Sequence, residues 1–380
     1  MQRRRTAQPT AVDLFAGCGG LNSGLRAAGF NVLAAIENEE DAADTYAANH
    51  PGVVLYRSDI RRVRPRQLLR DLRVRQVGRV NLVAGCPPCQ GFTRLTQRGH
   101  RRDSRNALVM EFLRFVRALR PDACMLENVP GLLTRGRSYF DKLSKGLRTA
   151  GYSVTYSVVD LADYGVPQFR RRLILLAVRG APAAIPLATH TSPELIATSR
   201  LKPWKTVRQA IGSLPKPPLR SAVLEGGTRP PHQWHYARDI ADYVRRRLVH
   251  SRRSGGDRKT LPASLRLACH ERRPDGYNDV YGVMAWDRPA PTMTSGCTNA
   301  SKGRFGHPGE ARPLTAREAA VLQTFPLRYK FHGSGVESVA AQIGNALPKV
   351  FAKKMAESLL NRLGGPDGNG ELGARRRHPG

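Results

Sequence analysis

The sequence has no apolar run approaching the ~20 residues that an α-helix needs to cross a bilayer, so no membrane span is expected. Its basic N-terminus, residues 1–10, lacks the apolar core and cleavage site of a signal peptide, which points to a cytoplasmic protein. Cysteine is sparse: Cys18, Cys86, Cys89, Cys124, Cys269 and Cys297 are six in 380 residues, too few for a disulfide framework. Acidic residues are scarce as well, 30 against 62 basic ones, for a net charge of +32. That balance favours a polyanionic partner, and most of the excess is arginine, whose planar fork suits phosphates and guanine edges. Codon bias can also produce an arginine-rich solvated surface, so charge suggests nucleic acid without proving it. No internal repeat is visible.

What is present is a chain long enough, at 41% hydrophobic and 24% charged, to bury a substantial core and to divide into two domains. Short apolar runs at residues 11–15, 32–36, 53–56, 80–84, 123–126, 153–159 and 173–178 predict strands. Segments of helical period, such as 21–28, 41–49 and 108–119, lie between them. The alternation predicts an α/β fold with a mostly parallel sheet covered by helices on both faces, filling residues 1–180. From 181 to 312 prolines cluster, basic runs appear and periodicity weakens, as in a smaller irregular domain. Residues 313–363 return to regular structure: Thr315 and Glu318 form a capping-box pattern, and a last helix is expected over 348–363. The tail, 364–380, has the composition of a disordered segment.

The chemistry gathers at strand ends. Gly85-Cys86-Pro87-Pro88-Cys89-Gln90 follows the fourth predicted strand, and prolines fix that loop so that a thiol stays where the strand aims it. Asp13-Leu14-Phe15-Ala16-Gly17-Cys18-Gly19-Gly20 joins the first strand to the first helix, where glycines let backbone approach a ligand. Glu37 ends the second strand, positioned for both hydroxyls of a ribose, and Asp59 follows the third, positioned for an adenine amino group. The third glycine of a dinucleotide fingerprint is missing, since Asn22 stands there. A nucleoside cofactor without a pyrophosphate fits better, and S-adenosylmethionine is the natural candidate. Glu127-Asn128-Val129 follows the fifth strand, Gln168-Phe169-Arg170-Arg171-Arg172 precedes the seventh, and Gln342 to Pro348 opens the last helix.

With these motifs in this order, and the stretch RPLTAREAAVLQTFP at 312–326, the chain resembles a cytosine-C5 DNA methyltransferase of the bacterial restriction–modification type over residues 12–351. The resemblance implies a Rossmann-like S-adenosylmethionine-dependent methyltransferase sheet plus a target-recognition domain. It also implies that Cys89 adds to cytosine C6, that Glu127 bonds N3 and that Arg172 bonds O2. Arg170 and Gln168 would support the active-site loop. Cofactor roles carry over to Phe15, Gly17, Gly20, Glu37 and Asn38, and to Asp59, Ile60, Pro88, Leu108 and Asn345. A thiolate suits this task, because C5 becomes nucleophilic only after reversible addition at C6. The base that removes the C5 proton is not named, and a water would serve. The target base must be flipped out of double-stranded DNA, with the polar, basic segment 93–105 as a mobile closing loop.

Cys86 and Cys89 match a redox or half-zinc spacing, yet no second pair stands nearby and no metal is expected; Cys86 reads as a bystander. Cys18 and Cys124 read as small core residues. Cys269-His270 and Cys297 either contact DNA or pack. By the same resemblance residues 181–312 read the bases, and Arg252, Arg253, Arg258, Lys259, Arg266, His270, Arg272 and Arg273 form the most interaction-like stretch. Most of these charges are expected on phosphates. The enzyme is expected to act as a monomer, with a cognate restriction endonuclease as a genetic rather than physical partner. The family's tRNA-cytosine branch is the alternative within the enzyme class, although its recognition region is shorter than the about 130 residues here and Gly91 departs from its pattern. A DNA-binding homologue that has lost catalysis is the alternative outside it.

Overall fold

The computed structural model describes residues 8–73, 79–88, 104–226, 228–272 and 276–363. Strand β1 (Thr10–Leu14) leads to helix α1 (Gly20–Ala28), β2 (Asn31–Glu37) to α2 (Glu40–Asn49) and β3 (Val54–Arg57) to α3 (Pro65–Arg73). Then come β4 (Leu82–Gly85), α4 (Leu108–Leu119), β5 (Ala123–Asn128), α5 (Arg137–Thr149), β6 (Tyr152–Asp160) and β7 (Arg171–Arg179). The seven strands form one sheet in the order β3-β2-β1-β4-β5-β7-β6. The pairs from β3 to β5 are parallel, whereas β7 runs antiparallel to both β5 and β6. The central strands are apolar on both faces, as a doubly covered sheet requires: Ala11, Val12, Leu14, Leu82, Val83 and Ala84 are fully buried.

Beyond β7 regular structure thins to β8 (His190–Thr191), β9 (Lys202–Pro203) and the helices α6 (Val207–Ile211), α7 (Arg220–Leu224), α8 (Asp242–Ser254) and α9 (Ala268–Glu271). Three further helices close the described chain, α10 (Ala316–Leu322), α11 (Val336–Asn345) and α12 (Lys349–Leu363). No helix among the described residues is long and apolar enough to cross a membrane.

Alternation within each strand sends side chains to two cores. Val12, Leu14 and Val83 meet Leu68 of α3, Phe112 of α4 and Phe140 of α5 on one face. Ala11, Leu82 and Ala84 meet Leu21 and Leu25 of α1 and Phe351, Met355 and Leu359 of α12 on the other. Helices α1 and α12 pack so closely that a Cβ on Gly24 would stand 2.4 Å from the Ala352 Cβ and 2.8 Å from the Lys353 backbone nitrogen. A third core joins α10 and α11 to Val207, Met284, Met293 and Cys297 of the irregular segment.

Two expectations change. Gln342 to Asn345 end α11 instead of opening the last helix, which starts at Lys349. Arg171 and Arg172 lie inside β7, because the antiparallel pairing with β6 extends to Asp160 opposite Arg171. Tail residues 364–380 lie outside the described residues.

Candidate active site at the carboxyl edge of the sheet

The glycine turn after β1 is built around one carboxylate. Gly17 adopts φ +53, and its N–H donates to Glu37 Oε2 at 2.7 Å. The N–H groups of Asn38 and Glu39 both donate to Oε1 at 2.8 Å. The last residue of β2 thus grips the turn that follows β1, the next strand over. Burial raises the Glu37 carboxyl above its usual range, against the lowering effect of those three donors. Phe15 is also left-handed, at φ +58, an uncommon conformation for a bulky residue, and its side chain packs against the core on the α3–α5 face. Above Gly17 the space is open, with no atom within 4 Å of where a Cβ would stand. Gly20 opens α1 and passes so near the Leu347 carbonyl that its Cβ would stand 2.5 Å away.

Asp59, beyond the end of β3, accepts from the Arg61 backbone at 2.9 Å and pairs with the Arg61 guanidinium at 2.5 Å. The guanidinium holds its carboxyl down at about 2. Ile60 is buried, Pro88 and Leu108 are half-buried, and Asn38 and Asn345 are exposed. Beneath the turn lies a group to which the sequence motifs assign no role. Asp13 is fully buried, and neither carboxylate oxygen has a hydrogen-bond partner among the described residues. Burial first, and then Glu37, raises it well above the usual carboxylate range.

The second half of the site stands on β4, β5 and β7. The Glu127 carboxylate pairs with Arg172 Nε at 2.7 Å, and both side chains are little exposed. The register explains the meeting: Glu127 faces Ile174 across the antiparallel pair, and Arg172 is its diagonal neighbour two residues away on the same face. Asn128 turns the other way and donates to the Pro87 carbonyl at 3.1 Å, tying the proline loop to β5. In the sequence Asn128 stands out only as a motif neighbour, and a carbonyl left without a donor by Pro-Pro is the signal that could have singled it out. Cys86, expected as a bystander, brings its thiol against Glu127. Burial, Glu127 and Asp13, in that order, push the thiol well above its usual range. Cys89 and the segment 93–103 lie outside the described residues, which reach Pro88 on one side and resume at Ser104 on the other.

Gln168 and Arg170 are buried and bind backbone at the junction of three segments. Arg170 donates to the carbonyls of Met293 (2.8 Å), Gly344 (3.0 Å) and Ala346 (3.3 Å). Gln168 accepts from Met293 N–H at 2.8 Å and donates to Gln323 Oε1 at 2.9 Å. Gln323 in turn donates to the Ala346 carbonyl at 3.1 Å. The 312–326 stretch is scaffold of the same kind. Arg312 pairs with Glu318 in a bidentate contact (2.9 and 2.8 Å), and Thr315 and Glu318 form the expected capping box.

In the irregular segment Arg258 corrects the expectation of a phosphate contact: it is buried, and its guanidinium donates to the Gly276 carbonyl at 3.0 Å. Arg253, Lys259 and Arg272 are exposed, and Arg252 donates to the Gly309 carbonyl. Arg273 lies outside the described residues. Cys18, Cys124 and Cys297 are buried, while Cys269 is exposed. Among the described residues no group of three or more His, Cys, Asp or Glu is placed to hold a metal ion.

The model of the C-5 cytosine-specific DNA methylase family matches residues 10–361. The chain is 37% identical to the Type II methylase M.HgiDII of Herpetosiphon aurantiacus, over 93% of this chain and 96% of that protein. It is 31% identical to the Type II methyltransferase M1.HphI of Haemophilus parahaemolyticus, over 92% and 86%. Among solved structures, a prophage-encoded E. coli protein assigned as a DNA modification methyltransferase superposes with a TM-score of 0.68 at 24% identity, over 93% of this chain and 99% of that one. The S. pombe Dnmt2 methyltransferase gives 0.56 at 17%, over 94% and 100%.

Proposed function

This chain belongs to the C-5 cytosine-specific DNA methylase family, and from that membership we propose that it methylates C5 of a flipped-out cytosine in a specific duplex sequence through a covalent Cys89 adduct. The observation that supports the chemistry best is the Glu127–Arg172 pair beside a proline loop that Asn128 ties down. A cytosine has an acceptor pair, N3 and O2, on one edge. A carboxyl that shares a proton with N3 and a guanidinium that donates to O2, adjacent and little exposed, match that edge and stabilise negative charge as it develops on the ring.

The Cys89 thiolate forms a bond to C6, and the displaced electron pair makes C5 nucleophilic. Glu37 and Asp59 would hold S-adenosylmethionine, whose sulfonium would give its methyl group to C5 and leave as the thioether. Loss of the C5 proton to a water then expels Cys89 as thiolate and restores the aromatic ring. Three N–H groups already use the Glu37 carboxylate, two on Oε1 and one on Oε2, so a ribose hydroxyl would bond at the site left on Oε2 or displace one of those donors. Asp59 must yield part of its Arg61 pairing to accept from an adenine amino group. Arg170 and Gln168 act through the backbone, holding the 290s segment and the end of α11 against the start of β7.

Residues 181–312 are the target-recognition unit in this reading, between the two parts of the catalytic domain, 1–180 and 313–363. The protein is a cytoplasmic monomer of a Type II restriction–modification system, with the nuclease a genetic partner.

Methyl transfer from tritiated S-adenosylmethionine to duplex DNA and to tRNA tests the reading. Label is expected in DNA alone and is lost in Cys89→Ser. Label confined to tRNA, no label at all, or an active Cys89→Ser overturns it.

A further inference from the structure

Between α3 and α4 lies an open groove of about 530 Å³, lined by Arg66, Arg114, Arg117 and Arg120 over a floor that includes Met110 and Leu113. Among the described residues no carboxylate lines it. Arg114 is committed to the wall: it pairs with Glu111 at 2.6 Å and donates to the carbonyls of Val63 (3.0 Å) and Ile60 (2.7 Å). The other three guanidiniums have no carboxylate partner among the described residues, and their side chains are exposed. Arg117 reclines over α5, with Nη2 3.2 Å from where a Cβ on Gly146 would stand. Arg120 caps α4 at φ +45, the left-handed position where glycine or asparagine is the unstrained choice, so a long cation stands there against backbone preference.

The groove is remote from the reacting groups. Helix α4 starts at Leu108 near the catalytic edge and runs its 12 residues, about 18 Å, toward the opposite edge, where β5 begins at Ala123. Arg117 and Arg120 stand three residues apart, about 4.5 Å along the axis. That is comparable with the roughly 3.4 Å axial spacing of phosphates on one strand of a duplex. Forked donors over an apolar floor, with no carboxylate among them, suit a phosphodiester backbone and repel nothing in it.

We propose that this arginine groove is a second nucleic-acid contact, gripping the phosphate backbone of duplex DNA outside the catalytic cleft and holding long DNA through cycles of target search. The proposal rests on the reading that the chain acts on DNA. Because the contacts are electrostatic, they carry no sequence information and add directly to the salt dependence of binding.

The test uses the full chain carrying Arg66→Gln, Arg117→Gln and Arg120→Gln, and a control with Arg26→Gln, Arg328→Gln and Arg362→Gln, three exposed arginines elsewhere. Methylation of a short duplex confined to the target site should match wild type. With plasmid-length DNA the KM should rise about tenfold, and the slope of log K against log salt should fall by about 0.9 for each phosphate no longer neutralised. Unchanged long-DNA affinity and slope, or an equal loss in the control, overturns the proposal. Arg120→Gly separates phosphate binding from folding. It relieves the left-handed residue, so its melting temperature should not fall, while the salt slope drops by about 0.9. A lowered melting temperature with an unchanged slope assigns Arg120 a structural role only and overturns its part in the groove. Binding is read without cofactor, so absence of methylation by wild type would count against the methyltransferase reading while the salt slope still decides the groove.

Discussion

His50 is a neutral imidazole wedged under the glycine turn, with Nε2 3.2 Å from the Gly19 carbonyl and 3.0 Å from the Tyr329 hydroxyl. Burial lowers it to about 4 from an ordinary 6.5. Between those values the unfolded chain binds the proton and the folded one does not, so stability is full above the higher value and falls as pH drops toward the lower. The window is worth about 3 kcal/mol. Urea unfolding between pH 7 and 4 should show that loss, and His50→Gln should flatten it. At this scale the sequence is legible wherever the informative partner is near in the chain. Thr315 and Glu318 announce their capping box because the motif is local. Arg258 misleads because nothing in a basic run reveals that a guanidinium turns inward to a carbonyl eighteen residues away. The neighbour of Cys86 is hidden for a similar reason: it is Glu127, one strand over.

Elements are legible where apolar runs are short and bounded, and all seven sheet strands lie within a few residues of expectation. Helix α11 escapes although Val336, Val339, Ala340 and Ile343 follow its period. Gly335 at its N-cap offers no capping side chain, and the Gly-Asn at its end reads equally well as the start of the next helix. The reversal of β7 is hidden too, because an apolar strand buried on both faces carries no sign of its direction. Packing between elements gives the prediction at this scale. Gly24→Ala would push a methyl into Ala352 and into backbone at Lys349 (2.9 Å) and Lys353, which cannot swing aside. It should cost about 1–3 kcal/mol in denaturant unfolding, with the midpoint shifted and the slope unchanged.

Across the whole molecule the notable joint is the one Arg170 makes among the start of β7, Met293 and the end of α11. Arg170→Met removes three hydrogen bonds and strands buried carbonyls, for a loss of about 3 kcal/mol in unfolding. Lysine in its place should recover only part of that, lacking the planar fork. No sequence pattern pairs residue 170 with residues 293 and 344; only the closed fold does. The α1–α12 contact is of the same long-range kind, and it bears on synthesis. The sheet face lined by Ala11, Leu82 and Ala84 is covered by Phe351, Met355 and Leu359. A growing chain therefore carries a bare apolar surface until its α12 leaves the ribosome, hundreds of residues after β1. That face can be covered only once α12 has been made, so the meeting of the first helix with the last is among the final contacts that synthesis allows.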